Sequence, residues 1–184
     1  MKILKDIIYG IDLDSIKGDT NLIIKSIEFD SRKVAQGSLF VAIKGENVDG
    51  HAFIDKAIKN GASAIIYNDY RFGDEKITTI KTPNTRKSLS IVASNFYDNP
   101  SKKIKLVGVT GTNGKTTVAT ILFNLFNKAA LNSGLISTIN IEYAGNVIEN
   151  HHTTPDSKTI NEVLNEMLLN KIEFCFMEVS SHGI

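Results

Sequence analysis

Glycines at 108, 111 and 114 lead into Lys115, Thr116 and Thr117, at the point where a β-branched apolar run gives way to a helical pattern. Glycines let backbone N–H groups come close to an anion, and a helix N-terminus adds a partial positive charge. A lysine directly after the last glycine can reach the outer phosphates of a nucleoside triphosphate, and the hydroxyl that follows suits Mg²⁺. Gly111, Thr112, Asn113, Gly114, Lys115, Thr116 and Thr117 are therefore candidate ATP-binding residues. The strict phosphate-loop spacing asks for glycine five places before Gly114, where this chain has Val109. That departure narrows the kind of nucleotide-binding protein without excluding one.

A second chemical feature lies near the other end of the sequence. Glu178 interrupts the apolar run 172–179. A carboxylate at the C-terminal end of a parallel strand stands at the rim where open α/β sheets bind ligands. Mg²⁺ favours carboxylate, hydroxyl and phosphate oxygens, so Thr116 and Glu178 are the candidate metal ligands, and Lys115 and Glu178 the candidate catalytic residues. Ser180 and Ser181 have no neighbouring base in sequence, which argues against a hydrolase nucleophile. His51 reads as the residue opening a helix at 52, His151 as a solvated loop residue, and His182 as a group able to position phosphate or water near the metal. The single cysteine, Cys175, reads as a buried strand thiol.

The elements that must position these groups follow from the pattern of apolar residues. Segments 22–28, 38–43 and 62–67 read as strands, and 76–81 as a further one. Helices are expected from Ala52 to the stop at Gly61, and after Pro83, capped by Asn84 or Thr85 with Leu89, Val92, Ala93 and Phe96 on one face. The polar, proline-containing stretch 97–103 marks a boundary, giving domains 1–99 and 100–184. Beyond it come a strand at 104–109, the glycine loop, and a helix with Ile121, Leu122, Leu125, Phe126 and Ala129 facing inward. A strand at 134–139, a hairpin at 141–148, a helix carrying Ile160, Val163, Leu164, Met167 and Leu168, and a strand at 172–179 complete the pattern. Strand and helix in alternation imply an α/β fold with parallel sheets. With few strong strands after residue 104, the second sheet reads as part of a larger one.

Composition excludes several function classes. The 184 residues are 42% hydrophobic and 22% charged, with 21 basic against 20 acidic side chains. That balance offers no basic surface for nucleic acid. No stretch approaches the roughly 18–20 apolar residues that span a bilayer, and the N-terminus lacks the apolar core of a signal peptide. The expected location is cytoplasmic, with no membrane insertion.

Gly111-Thr112-Asn113-Gly114-Lys115-Thr116 resembles the ATP loop of the Mur ligases and their folate-polyglutamylating relatives. Asp30-Ser31-Arg32, Gly37, Leu39-Phe40-Val41-Ala42, Gly45 and Asp49-Gly50-His51 resemble the N-terminal UDP-binding domain found in two branches of that family. His152-Thr153-Thr154-Pro155 and Met177-Glu178-Val179-Ser180-Ser181-His182-Gly183 resemble the tripeptide-forming branch in particular. The resemblance implies a small α/β UDP-binding domain followed by an incomplete phosphate-loop ATPase domain. It implies ATP and Mg²⁺ as cofactors, with UDP-N-acetylmuramoyl-L-alanyl-D-glutamate and a diamino acid, lysine or diaminopimelate, as substrates. Carried over by position, Phe29 and Ser31 would touch the uridine end, and Glu46, Asn47 and Val48 match a substrate-contacting stretch of variable composition. Thr153, Thr154 and Ser180 would hold the sugar-peptide portion, with His152 beside them where relatives often have asparagine.

The implied reaction is amide-bond formation through an acyl phosphate, in peptidoglycan synthesis. The family's metal-binding histidine, carbamylated lysine and C-terminal domain have no counterpart in these residues, so turnover by this chain alone is not expected. Two other readings stay open at this point: a module that holds UDP-precursor or nucleotide without catalysis, and an unrelated phosphate-loop phosphotransferase, against which the segments at 30–51 and 177–183 argue.

Overall fold

The strands of this chain alternate their side chains between two buried faces, and that alternation dictates the layering. The computed structural model describes residues 1–45, 48–72, 77–150 and 154–180; Glu46, Asn47, His151, His152, Thr153, Ser181 and His182 lie outside them. The chain divides into two compact units, Met1–Asp98 and Asn99–Ile184.

The first unit opens with β1 (Lys2–Ile3) and α1 (Leu4–Ile7), followed by β2 (Ser15–Lys17), β3 (Ile23–Ile24), β4 (Ser26–Glu28) and β5 (Ser38–Val41). A tight helical turn, Gly50–Phe53, leads into α2 (Ile54–Lys59), then β6 (Ala62–Tyr67), β7 (Thr78–Lys81) and α3 (Thr85–Phe96). The sheet order is β2-β7-β6-β5-β4, parallel except for β2 at one edge. Leu39, Val41, Ala64 and Ile66 point to one face, against Leu4, Ile7, Leu89 and Val92. Phe40, Ala42, Ile65 and Tyr67 point to the other, against Ile54 and Ala57. Both faces are covered, as parallel sheets require. Asn84 caps α3, its side chain accepting from the Lys87 N–H at 3.0 Å.

One expectation needs correcting here. The run 22–28 is not a single strand: β3 pairs with β1 in a separate two-stranded sheet, while β4 pairs with β5. Lys25 lies between the two strands, and its N–H bonds the carbonyl of Gly37 at 2.9 Å.

The second unit runs β8 (Lys105–Val109), α4 (Lys115–Lys128), β9 (Ser133–Ile136), β10 (Asn140–Tyr143), β11 (Asn146–Glu149), α5 (Ser157–Leu169) and β12 (Phe174–Glu178). The order is β11-β10-β9-β12-β8; β8, β12 and β9 are mutually parallel, and the hairpin β10–β11 extends the sheet antiparallel. Period-2 alternation along β12 sends Phe174 and Phe176 toward α4, and Cys175 and Met177 toward α5. Phe126 of α4 meets both phenylalanines edge-on, with ring centroids 4.8 and 4.9 Å away. Ile136, Ile141 and Cys175 pack with Val163, Leu164 and Met167 of α5.

Helix α4 is turned differently from the expectation. Ala119 is buried, and Leu122, Phe123 and Phe126 pack on the sheet, whereas Ile121 is 58% and Leu125 57% exposed, and Ala129 is exposed as well. Apolar residues occupy more than half of this helix's circumference, so spacing alone could not say which stripe meets the sheet.

Candidate functional site

Strand β8 ends at Val109 and β12 at Glu178, and these two residues are paired in register. The glycine loop and the Glu178 carboxylate thus leave the same edge of the sheet. Gly111 (φ +150°) and Gly114 (φ +79°) adopt backbone angles that side chains rarely tolerate, which lets the chain turn sharply into α4. Gly114 is the residue at the N-terminal cap of that 14-residue helix, whose first N–H groups have no partner within it. The Lys115 ammonium folds back over the loop, donating to the Gly111 carbonyl at 2.8 Å and lying 3.5 Å from that of Thr112.

A cleft of about 620 Å³ opens at this place, lined by Thr110, Gly111, Thr112, Asn113, Gly114, Lys115, Thr116, Thr138, Glu178 and Ser180. The candidate ATP and metal residues therefore converge, except Thr117, which is exposed and outside the lining. Ser180 and Thr154 also come together. The Thr154 hydroxyl accepts from the Ser180 N–H at 2.9 Å and lies 3.2 Å from the Ser180 hydroxyl and 3.4 Å from the Glu178 carbonyl oxygen. Thr110 and Thr138 line the cleft without having been singled out in the sequence. Thr110 adjoins the glycine loop, whereas nothing local marks Thr138, which reaches Glu178 across 40 residues.

Glu178 is 1% exposed, yet no lysine, arginine or histidine among the described residues pairs with it. A buried carboxylate without a countercharge is costly, and its oxygens at the floor of an oxygen-lined cleft fit a hard cation. No cluster of three or more His, Cys, Asp or Glu is present among the described residues. Mg²⁺ commonly takes only one or two protein carboxylates, and Glu178 and Thr116 are the groups here that could hold it.

In the first unit, Phe29 and Ser31 follow the C-terminal end of β4, and the turn holding Val48 follows the exit from β5. These strands are parallel neighbours, so the residues share one rim. Phe29 is 37% and Val48 57% exposed, whereas Ser31 is buried at 6%. Asp30 shapes this rim. Its carboxylate binds the Arg32 guanidinium and the Arg32 N–H, and the Arg32 side-chain bonds above all hold its pKa down at about 2.

The turn carrying Val48 is closed by a bridge between Lys44 and Asp49 and by the Gly45 N–H on the Val48 carbonyl at 3.0 Å. His51 is buried with both ring nitrogens in use: Nδ1 is 2.6 Å from Asp49, and Nε2 accepts from the Asn68 N–H at 3.3 Å. It stands in the helical turn Gly50–Phe53 that opens into α2, as expected of a helix start, and ties that turn to the end of β6. Bonds from His51, backbone first and then ring, lower the Asp49 pKa.

Comparison with known proteins gives both units the same relatives. Residues 23–97 match the model described as "Mur ligase family, catalytic domain", and residues 109–184 match "Mur ligase middle domain". The chain is 44% identical, over 98% of its length, to a UDP-N-acetylmuramoyl-L-alanyl-D-glutamate–2,6-diaminopimelate ligase of Cytophaga hutchinsonii. It is also 44% identical, over 99% of its length, to the ligase of the same name from Clostridium perfringens. It spans 37% and 38% of those two relatives. A solved structure of a ligase of that name superposes over the whole chain with a TM-score of 0.79 at 24% identity, and 37% of that structure is matched; the likeness shows the fold. A MurF ligase from Thermotoga maritima in complex with ADP gives 0.60 at 28% identity, covering 85% of this chain and 32% of that one.

Proposed function

Because this chain belongs to the Mur ligase family, we propose that it serves ATP-dependent formation of an amide bond between UDP-N-acetylmuramoyl-L-alanyl-D-glutamate and a diamino acid. The amino acid to test first is 2,6-diaminopimelate, for which both relatives named above are called. The observation that carries this reading is the convergence of Lys115, Thr116, Glu178 and Ser180 on one cleft at the C-terminal edge of a parallel sheet. A solved relative in complex with ADP supports a nucleotide as ligand.

The chemistry follows from what these groups can do. The glycine loop and the first turn of α4 cradle the phosphates, and Lys115 exchanges the loop carbonyls for phosphate oxygens. Thr116 and Glu178 would hold Mg²⁺, which would offset phosphate charge as a Lewis acid. A glutamyl carboxylate of the precursor attacks that phosphorus, ADP leaves, and the resulting acyl phosphate loses phosphate to the incoming amine. Two anions must meet in the first step, so the fixed positive charge of Lys115 acts where repulsion is greatest. Thr154 and Ser180 border this cleft and present hydroxyls to the sugar-peptide portion, with His152 and Thr153 adjoining them in sequence. Phe29 and Ser31 take the uridine end, and Glu46, Asn47 and Val48 belong to a substrate-contacting stretch. A nucleotide-linked substrate and ATP are both consistent with action in the cytoplasm, and no helix among the described residues is long and apolar enough to cross a membrane.

The test is phosphate release by the encoded protein supplied with ATP and Mg²⁺. Release is expected only when the UDP-linked dipeptide and the diamino acid are both present. Release without either acceptor would mean a simple phosphotransferase, and binding of the UDP-precursor with no turnover would mean a non-catalytic module.

A further inference from the structure

Both oxygens of Glu178 are held by one residue that lies outside every recognised motif of the chain. The Thr138 N–H donates to Oε1 at 3.1 Å, and the Thr138 hydroxyl donates to Oε2 at 3.0 Å. Thr138 sits in the turn between β9 and β10, and that turn is itself fixed from several sides. Ser137, 1% exposed, accepts through its hydroxyl from the Ile139 N–H at 3.3 Å and the Asn140 N–H at 3.1 Å. Its N–H bonds the Asn140 carbonyl at 2.9 Å, and the Asn150 side chain donates to its carbonyl at 2.6 Å. The backbone that carries the donors to Glu178 is therefore held by its neighbours' bonds.

Two parallel bonds to one carboxylate set the plane of the group as well as its position. Each carboxylate oxygen has further lone-pair capacity, so the grip from Thr138 leaves both able to ligate a cation. Outer contacts of this kind orient metal-ligating carboxylates, and their loss typically weakens metal binding about 10- to 100-fold.

We propose that Thr138 is a positioning residue that sets the Glu178 carboxylate for Mg²⁺ at the nucleotide phosphates. The proposal rests on the reading of Glu178 as a metal ligand. Thr138 does not itself touch the reacting atoms. Its hydroxyl supplies one of the two anchors and its backbone the other, so Thr138→Val removes one anchor at nearly constant shape, while Thr138→Ser keeps it.

The experiment is a calorimetric titration of ADP onto this chain at a series of Mg²⁺ concentrations and in EDTA, with wild type, T138V, T138S and E178Q. In T138V the Mg²⁺ concentration for half-maximal enhancement of ADP binding is expected to rise about tenfold or more. T138S should behave as wild type. A normal Mg²⁺ response in T138V alongside a lost response in E178Q would overturn the role of Thr138 and leave Glu178 as ligand. A normal response in both would overturn the Glu178 reading and this proposal with it. Failure of T138S to restore the response would show Thr138 supporting the fold instead, and would also overturn it.

Discussion

Lys115 and Glu178 stood out in the sequence as candidates because each breaks a local rule: a lysine after spaced glycines, and a carboxylate in an apolar strand. Thr138 was not legible. A lone threonine in a turn carries no signal, and only the pairing of β9 with β12 brings it to Glu178. Cys175 followed the expectation of a buried strand thiol, and burial pushes its pKa up to about 12. The thiolate is the reactive form, so at pH 8 the native chain should resist iodoacetamide and become alkylated once unfolded in guanidinium. Mass spectrometry of the two reactions checks this. Rapid labelling of the native chain would mean that β12 opens readily. His51 stands at the helix start expected near residue 52, in the turn Gly50–Phe53 before α2, but the use of both its ring nitrogens to pin that turn carried no signal in the sequence.

Long, strongly patterned elements were read closely at the scale of the helix and strand. β6 has its expected bounds, and α3 starts after Asn84. What escaped was short or ambiguous. β1 has two residues and α1 four, too few to show any period. In the 134–139 run the strand stops at Ile136, because Ser137 and Thr138 turn their bonds toward Asn140 and Glu178. Helix α4 carries two apolar stripes, and the sheet selects the one with Leu122, Phe123 and Phe126. Phe126→Ala, which removes a ring packed on Phe174 and Phe176, should cost about 3 kcal/mol, whereas Ile121→Lys on the exposed side should stay within about 0.5 kcal/mol. Urea denaturation of the two variants measures the contrast. Equal losses would contradict the orientation given to α4.

Across the whole molecule, each unit gathers its candidate residues where parallel strands end, as open α/β sheets do. In the first unit the rim carries Phe29, Ser31 and Val48; in the second, the cleft carries Lys115, Thr116 and Glu178. The resemblance assigned the uridine end to Phe29 and Ser31, a substrate-contacting stretch to Val48, and ATP to the second set. Packing decided how the loops are held, which the motifs could not tell. The measurement that bears most directly on the central claim is a titration of ATP, with Mg²⁺ present, onto this chain and its Lys115→Ala variant, with UDP titrated in parallel. ATP affinity should fall at least tenfold on loss of the charged hydrogen bonds, each of which contributes about 1.5–3 kcal/mol, while UDP affinity stays unchanged. ATP binding equal in both proteins would contradict the assignment of this cleft to the triphosphate.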